Sequence, residues 1–321
     1  MRWYSIETHA HTFHSDGKLS VQQLLDLGER QKLDVISITD HNTDSALDEV
    51  SSAQRNPMVL RGMEWTTYYG HVIVLAAQDF IEFRDLTPVN LDSHIQSVHG
   101  AKGIVFAAHP CDPGEPFCTG CHWDFHLNSP GLLDGIEIWH EDHPYRSLWN
   151  KKAEELWISL LNQGCHLIPV SSSDWHDAFS PDTPYGINYF YLDESLPLSD
   201  AFHDAAASGR SFITMGPLID LSIQQNGNTF SIGDSVPAGR SLLSLSLHKG
   251  NRQDVWNAYE LHPDMIEIHY NQQMIVIPFE QYDKTIQMNL NLAKGYVYVK
   301  IMGTIQKEYA SLLVTAPCYV I

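Results

Sequence analysis

The sequence predicts an α/β fold whose parallel strands are covered by helices, followed by a smaller all-β sandwich. Two observations carry this. Up to about residue 215, short apolar runs alternate with segments of helical periodicity. Strands joined through helices pair in parallel and form a sheet covered by those helices. From Pro217 onward no long helical pattern remains, and short strand patterns separated by turn signals take over.

The elements follow in order. WYSIET at residues 3–8 is a short strand. In LSVQQLLDLGERQ, Val21, Leu24, Leu25 and Gly28 share a helical face, and Ser20 with Gln23 forms a capping box. Strand DVISIT, a helix over Asp44–Arg55, and strands MVLRGM and HVIVLAA come next. Helix LDSHIQSVHGAKG leads into strand GIVFAA, and LDGIEIW is a further strand. The helix within YRSLWNKKAEELWISLLNQG ends at a Gly164 cap. Strand HLIPVS, helix SDAFHDAAASG and strand SFIT close the series. The boundary falls near Met215–Pro217, giving domains 1–216 and 217–321. In the second, Asn226–Gly227 is a turn, and SLLSLSLHKG, DMIEIHYN, QMIVIPF, TIQMNLNL, GYVYVKIMG and ASLLVTAPCYVI read as strands.

A net charge of −20 repels phosphate backbones and anionic membranes, so nucleic acid and membrane are not expected partners. The apolar runs fall short of the ~20 residues that span a bilayer. The N-terminus lacks the apolar stretch of a signal peptide, and five cysteines are too few for a disulfide scaffold. A reduced cytoplasmic protein is expected.

Histidines and carboxylates recur at strand ends. His9 and His11 alternate in ETHAHTFHSDG, so both fall on one side of an extended chain, with Asp16 at the turn beyond. Asp40 and His41 follow the second strand, and Glu64 sits in the third. His109, His140, and the pair Asp174 and His176 close later strands. In parallel β/α folds such ends gather on one face. Imidazole with carboxylate suits zinc, manganese or iron. Nine donors exceed the needs of one ion, so two or three divalent ions are expected, with Glu64 as the bridging carboxylate.

These residues resemble the PHP (polymerase and histidinol phosphatase) family of metal-dependent hydrolases. HAHTFHSDG, TDHN, AAHP and SSDWH look like four of its motifs in order, across roughly residues 1–217. The resemblance implies a distorted (β/α)7 barrel with a two- or three-metal cluster. It places His9, His11, Asp16, His41, Glu64, His109, His140, Asp174 and His176 at the ligand positions. Many relatives carry His where this chain has Asp16, and His14 competes for that place; some have Asn in place of His140. GMEWTTYYGHVIVLA, EIWH and GRSFITMGPL resemble the CehA/McbA branch, named for a carbaryl hydrolase, and His71 belongs to its Gly-His element.

The expected activity is hydrolysis by a metal-bound hydroxide, foremost of a small phosphate ester. A carbamate, amide or ester hydrolase is the alternative, and a non-catalytic metal-binding module the third reading. Asp40 is expected to orient His41, and His71 or His176 to protonate the leaving group. Lys18, Arg61 and Arg146 are the cations near the motifs; Trp65, Tyr68, Tyr69, Trp139 and Trp175 are the aromatics that could line a pocket. The Cys118 and Cys121 pair sits in a loop after His109 that is expected to cover the site. Cys165 and Cys318 read as buried apolar groups. The β region could cap the barrel, mediate homo-oligomer formation or bind part of the substrate.

Overall fold

The computed structural model describes residues 1–51, 54, 56–114, 122–270 and 272–321. The first strands are β1 (Arg2–Glu7), β2 (Val35–Ile38), β3 (Met58–Thr67), β4 (Gly70–Leu75), β5 (Ile104–Ala107), β6 (Gly135–His140), β7 (Ile168–Ser172), β8 (Ile187–Leu192) and β9 (Ser211–Thr214). Helices α1 (Val21–Arg30), α2 (Leu91–Gly100), α3 (Leu148–Asn162) and α4 (Leu198–Ala207) connect them. Ser20 and Gln23 close the expected capping box on α1, and Gly164 lies beyond α3 at φ +88°.

Three features differ from expectation. Asp44–Arg55 is not an α-helix in its described part. A 3-10 turn spans Ser45–Glu49, with Ala46 its single buried residue, so no apolar stripe exists to dock a longer helix. HVIVLAA forms β4, an antiparallel hairpin partner of β3 rather than a parallel strand. INYFYL at residues 187–192, buried but for half-buried Tyr191, is β8, which pairs antiparallel with β1 and β9.

The parallel set is therefore β1-β2-β3 and β5-β6-β7, joined through β4. The sheet that carries the expected distorted (β/α)7 barrel is not closed among the described residues: the strand path runs open to β7. The β7 end is tied back to β1 by an isolated bridge from Ala10 to Trp175 and by Asn188 of β8. The buried Asn188 accepts from Ser171 N (2.9 Å) and donates toward Ser171 O (2.6 Å), Thr8 Oγ1 (3.1 Å) and Ile6 O (3.2 Å).

The second half holds β10 (Leu218–Gln225), β11 (Asn228–Ser231), β12 (Ser235–Val236), β13 (Gly239–His248), a short helix α5 (Gln253–Trp256), β14 (His262–Tyr270), β15 (Gln273–Pro278), β16 (Ile286–Leu292), β17 (Gly295–Ile305), β18 (Glu308–Thr315) and β19 (Cys318–Val320). Asn226 and Gly227, both at positive φ, make the β10–β11 hairpin turn. Strands β11-β10-β13-β16 form a second, four-stranded sheet. Its inward residues Ile219, Ile223 and Leu243 join the same apolar cluster as Ile266, Val299 and the first-sheet residues Ile6 and Val35. The remaining β-region strands continue the first sheet, because β18 pairs with β9 through Leu313–Thr214, Val314–Ile213 and Thr315–Phe212. The two regions thus share one sheet. No helix of the described residues is long and apolar enough to cross a membrane.

Asn188→Ala leaves the Ser171 amide without its side-chain partner and removes one of two side-chain donors to the Ser171 carbonyl, the other being the Thr8 hydroxyl, which costs about 1–3 kcal/mol. Chemical denaturation should show that loss. An unchanged midpoint would mean that Asn188 does not hold the sheet ends together.

Candidate metal centre

The C-terminal ends of the parallel strands deliver their side chains to one face. His9 and His11 lie just past β1, His41 past β2, His109 past β5, and Asp174 and His176 past β7; His140 ends β6. Glu64 lies inside β3, at an isolated bridge with His41. His71 opposes Thr66 across the β3–β4 ladder, so it shares a face with Glu64 two residues away. Four non-glycine residues here have left-handed backbone: Asn42 (φ 56°), His109 (27°), Glu141 (62°) and Asp174 (47°). Such conformations cost energy and concentrate where side chains must be aimed. Gly17 is needed for closeness, since a Cβ there would lie 2.6 Å from the His11 carbonyl group.

All nine predicted donors meet. Glu64 Oε2 lies 3.3 Å from His9 Nε2, 3.4 Å from His11 Nε2 and 2.8 Å from His41 Nδ1; its Oε1 lies 2.6 Å from His71 Nδ1 and 3.3 Å from His109 Nε2. Asp174 Oδ1 approaches His9 Nε2 (3.1 Å) and His11 Nε2 (2.9 Å), and its Oδ2 approaches His140 Nε2 (3.1 Å). Asp16 Oδ1 approaches His41 Nε2 (3.4 Å) and His176 Nε2 (3.1 Å). His14 does not join them. It bonds Ser45 Oγ (2.8 Å) and Glu49 Oε1 (3.0 Å) instead.

The lone pairs are aimed inward by partners bonded to Nδ1. His9 Nδ1 donates to the buried Glu137 (2.9 Å), His140 Nδ1 to Asp112 (2.6 Å), and His176 Nδ1 to the Asp174 carbonyl (2.9 Å). Each of these fixes Nδ1 as the protonated nitrogen and leaves Nε2 free to bind a cation. His9 Nε2 and His11 Nε2 are only 3.1 Å apart. Glu64 Oε2 and Asp174 Oδ1, though close to several nitrogens, take no well-directed hydrogen bond; buried His71 Nε2 likewise has no partner. Sets such as His9, His11, Asp174 and His9, Glu64, His109 have donor atoms within 4.8 Å of one another, as do His11, Asp16, His41, His176. The residues therefore fit divalent ions, and adjoining sets share His9, His11, His41, Glu64 and His109.

Electrostatics agree. Burial pushes the Glu64 carboxyl up, but His9, His71, His109 and His41 outweigh it and hold it well below the carboxylate range. Burial likewise opposes ionisation of Asp174, and His9, His11 and His140 overcome it. Burial lowers His140, but hydrogen bonds to Asp112 and Asp174 raise it to about 10. Protons and metal ions compete for such a cluster.

Some expectations change. Asp40 does not touch His41. It accepts from Thr12 N (2.7 Å), Thr12 Oγ1 (2.7 Å) and Ser15 Oγ (2.6 Å), pinning the His11–Asp16 loop, while His41 Nδ1 meets Thr66 Oγ1 (2.5 Å). Above the donors opens a cleft of about 530 Å³, with Asp112, Trp123 and Glu141 among its walls. Lys18, Arg61 and Arg146 do not line it; they pair with Asp177, Asp44 and Glu308. Trp65, Trp139 and Trp175 are buried and Tyr68 exposed, and none of the five proposed aromatics lines the cleft. Cys118 and Cys121 lie outside the described residues. Cys318 is buried as expected, whereas Cys165 is only half-buried. Sequence reasoning missed Glu137, Asp112 and Trp123. A carboxylate in the otherwise apolar run GIEIW was the available signal for Glu137. A larger cavity, about 650 Å³ around Trp3, Tyr191 and Leu245, holds no cluster of metal donors among the described residues, so the smaller cleft is the candidate site.

No protein-family model and no curated protein matches this sequence. Among solved structures the chain is similar to an amidohydrolase from Chromobacterium violaceum with bound sulfate and no metal, at 17% identity over 54% of this chain and 87% of that one, TM-score 0.37. It is also similar to a two-domain protein from Bacteroides vulgatus containing a predicted PHP-like metal-dependent phosphoesterase, at 15% identity over 98% of this chain and 95% of that one, TM-score 0.51. That second likeness runs nearly end to end on both chains and is a likeness of fold.

Proposed function

We propose that this chain is a metal-dependent hydrolase of the PHP family, of the CehA/McbA-like branch, that cleaves a small phosphate ester. Residues 1–216 form the hydrolase domain, a distorted barrel whose ends meet at Ala10 and Trp175, and residues 217–321 the β domain. His9, His11, Asp16, His41, Glu64, His109, His140, Asp174 and His176 are the proposed ligands of two or three zinc, manganese or iron ions. The observation that carries this is the convergence of unpartnered Glu64 Oε2 and Asp174 Oδ1 on imidazole nitrogens whose far sides are already bonded. The PHP-like phosphoesterase domain of the similar two-domain structure supports it.

When bound, such ions ionise water near neutral pH and polarise a phosphoryl or carbonyl oxygen. The chain's own residues orient and exchange protons. Glu137 and Asp112 hold His9 and His140 in one tautomer. Glu64 Oε1 holds His71 through Nδ1; His71 lines the cleft, and its unpartnered Nε2 is the nitrogen left to pass a proton to the leaving group. His176 has Nδ1 bonded to the Asp174 carbonyl and Nε2 assigned to a metal ion beside Asp16, which favours His71 for this step. Asp40 acts by pinning the loop that carries Asp16. A carbamate, amide or ester hydrolase is the second reading, favoured by Trp123 in the wall and by a described lining without Lys or Arg.

Metal-loaded protein should turn over aryl phosphates faster than aryl carbamates or esters; the reverse order would install the second reading. Glu137→Gln should weaken metal affinity about 10–100-fold, and Glu64→Gln should weaken it further. Metal content after dialysis against a graded chelator reads both, and full retention in Glu64→Gln would remove the cluster assignment.

His71→Gln should lower kcat about 10²–10⁴-fold for a poor, alkoxide-like leaving group and much less for p-nitrophenolate, at unchanged metal content. Equal losses on both would take His71 out of proton delivery.

A further inference from the structure

We infer that the cleft selects substrates whose leaving group carries a positive charge, with Glu141 as the determinant. The inference deepens the hydrolase reading and rests on it. Floor and rim of the cleft differ in character. The floor gathers the donors for cations that would draw in a phosphoryl or carbonyl oxygen. The rim carries Asp112, Trp123 and Glu141.

Of the 19 Lys and Arg in the chain, none lines the cleft among the described residues. The seven residues between Gly114 and His122, EPFCTGC, contain no basic side chain either. An anionic leaving group would therefore meet carboxylates with no cation to receive it.

The two rim carboxylates are not equivalent. Asp112 is committed to His140 Nδ1 at 2.6 Å. Glu141 follows ligand His140 directly, and its exposed carboxylate takes no hydrogen bond or ion pair among the described residues. Its backbone is fixed at φ +62°, with its amide bonded to Ser172 O at 3.0 Å. Trp123 is fixed as well: its indole donates to the His71 carbonyl at 2.9 Å. Its ring lies over Gly70, where a Cβ would come within 2.5 Å of Cδ1. Buried His71, only 8% exposed, lines the same cleft, and its buried Nε2 has no partner among the described residues. An aromatic ring and an unpaired carboxylate lining one cleft are groups that attract ammonium and guanidinium.

The test uses the full-length metal-loaded protein and three aryl phosphates of matched leaving-group basicity, bearing para trimethylammoniomethyl, ethyl and carboxymethyl groups. kcat/KM should fall in that order, by about tenfold from first to last. Glu141→Gln should narrow the spread, and Glu141→Lys should invert it at unchanged metal content. Calorimetric binding of phenyltrimethylammonium against benzenesulfonate gives a reading independent of turnover. Preference for the cation in binding, lost in Glu141→Lys, supports the inference even if no phosphate or carbamate is turned over, an outcome that would overturn the hydrolase reading alone. Equal binding of the two probes, or a preference that survives Glu141→Lys, overturns the inference.

Discussion

The site is organised by one carboxylate that has no access to water. Glu64 is fully buried and touches His9, His11, His41, His71 and His109, from four different stretches of chain. An ionised carboxyl in such a place is costly unless positive charge or directed N–H groups surround it. The imidazoles meet that need with protons, and divalent cations meet it better, because several lone pairs then face one charge. This is also why strand ends here take left-handed backbone at His109 and Asp174: the strain is offset by bringing donors to the shared carboxylates.

The cluster holds its shape because a second polar layer is bound to the sheet. Glu137, inside β6, reaches both His9 Nδ1 and the His109 amide, at 2.9 Å each, so one carboxylate orients one candidate ligand and the backbone of another. Glu7 accepts from the His9 amide (3.0 Å) and the Ser173 amide (3.2 Å), coupling the end of β1 to the end of β7. Burial raises the Glu7 carboxyl to about 7 despite these amide bonds, which shows how dry this layer is. Asn188 repeats the same coupling one step deeper. The open strand path thus behaves like a closed one at the place where the donors must converge.

Much of this was legible in the sequence, for a physical reason. His9 with His11, and Asp174 with His176, are spaced by two, and strand ends leave few choices about where such side chains go. The Ser20–Gln23 cap and the Asn226–Gly227 turn are likewise local chemistry. What was not legible depended on pairing. GHVIVL gives no sign of being antiparallel until the tight Thr67–Gly70 turn is recognised as a hairpin, and only the hairpin puts His71 on Glu64. Asp40 sits next to His41 in sequence, but adjacent residues near a strand point to opposite sides, so its carboxylate turned to Thr12 and Ser15. Trp123 lies in a loop with no periodicity to place it, and Arg61 on β3 pointed away to Asp44.

The shared sheet suggests how the β region serves the site without lining it. No residue beyond His176 is among the described walls of the cleft. Strand β18 instead covers the edge of β9, which would otherwise present unpaired backbone groups. The turn between β17 and β18, with Gln306 and Lys307 both at positive φ, then reaches back toward the loop after β6. Gln306 Oε1 lies 3.1 Å from His143 Nε2 and 3.2 Å from the Tyr145 hydroxyl, and Gln306 Nε2 donates to the Asp182 carbonyl at 3.1 Å. Arg146 pairs with Glu308 at 2.7 Å. These contacts brace the segment immediately following His140 and Glu141. A turn from the last third of the chain therefore steadies the cleft rim, and the two regions are coupled by geometry rather than by a shared pocket.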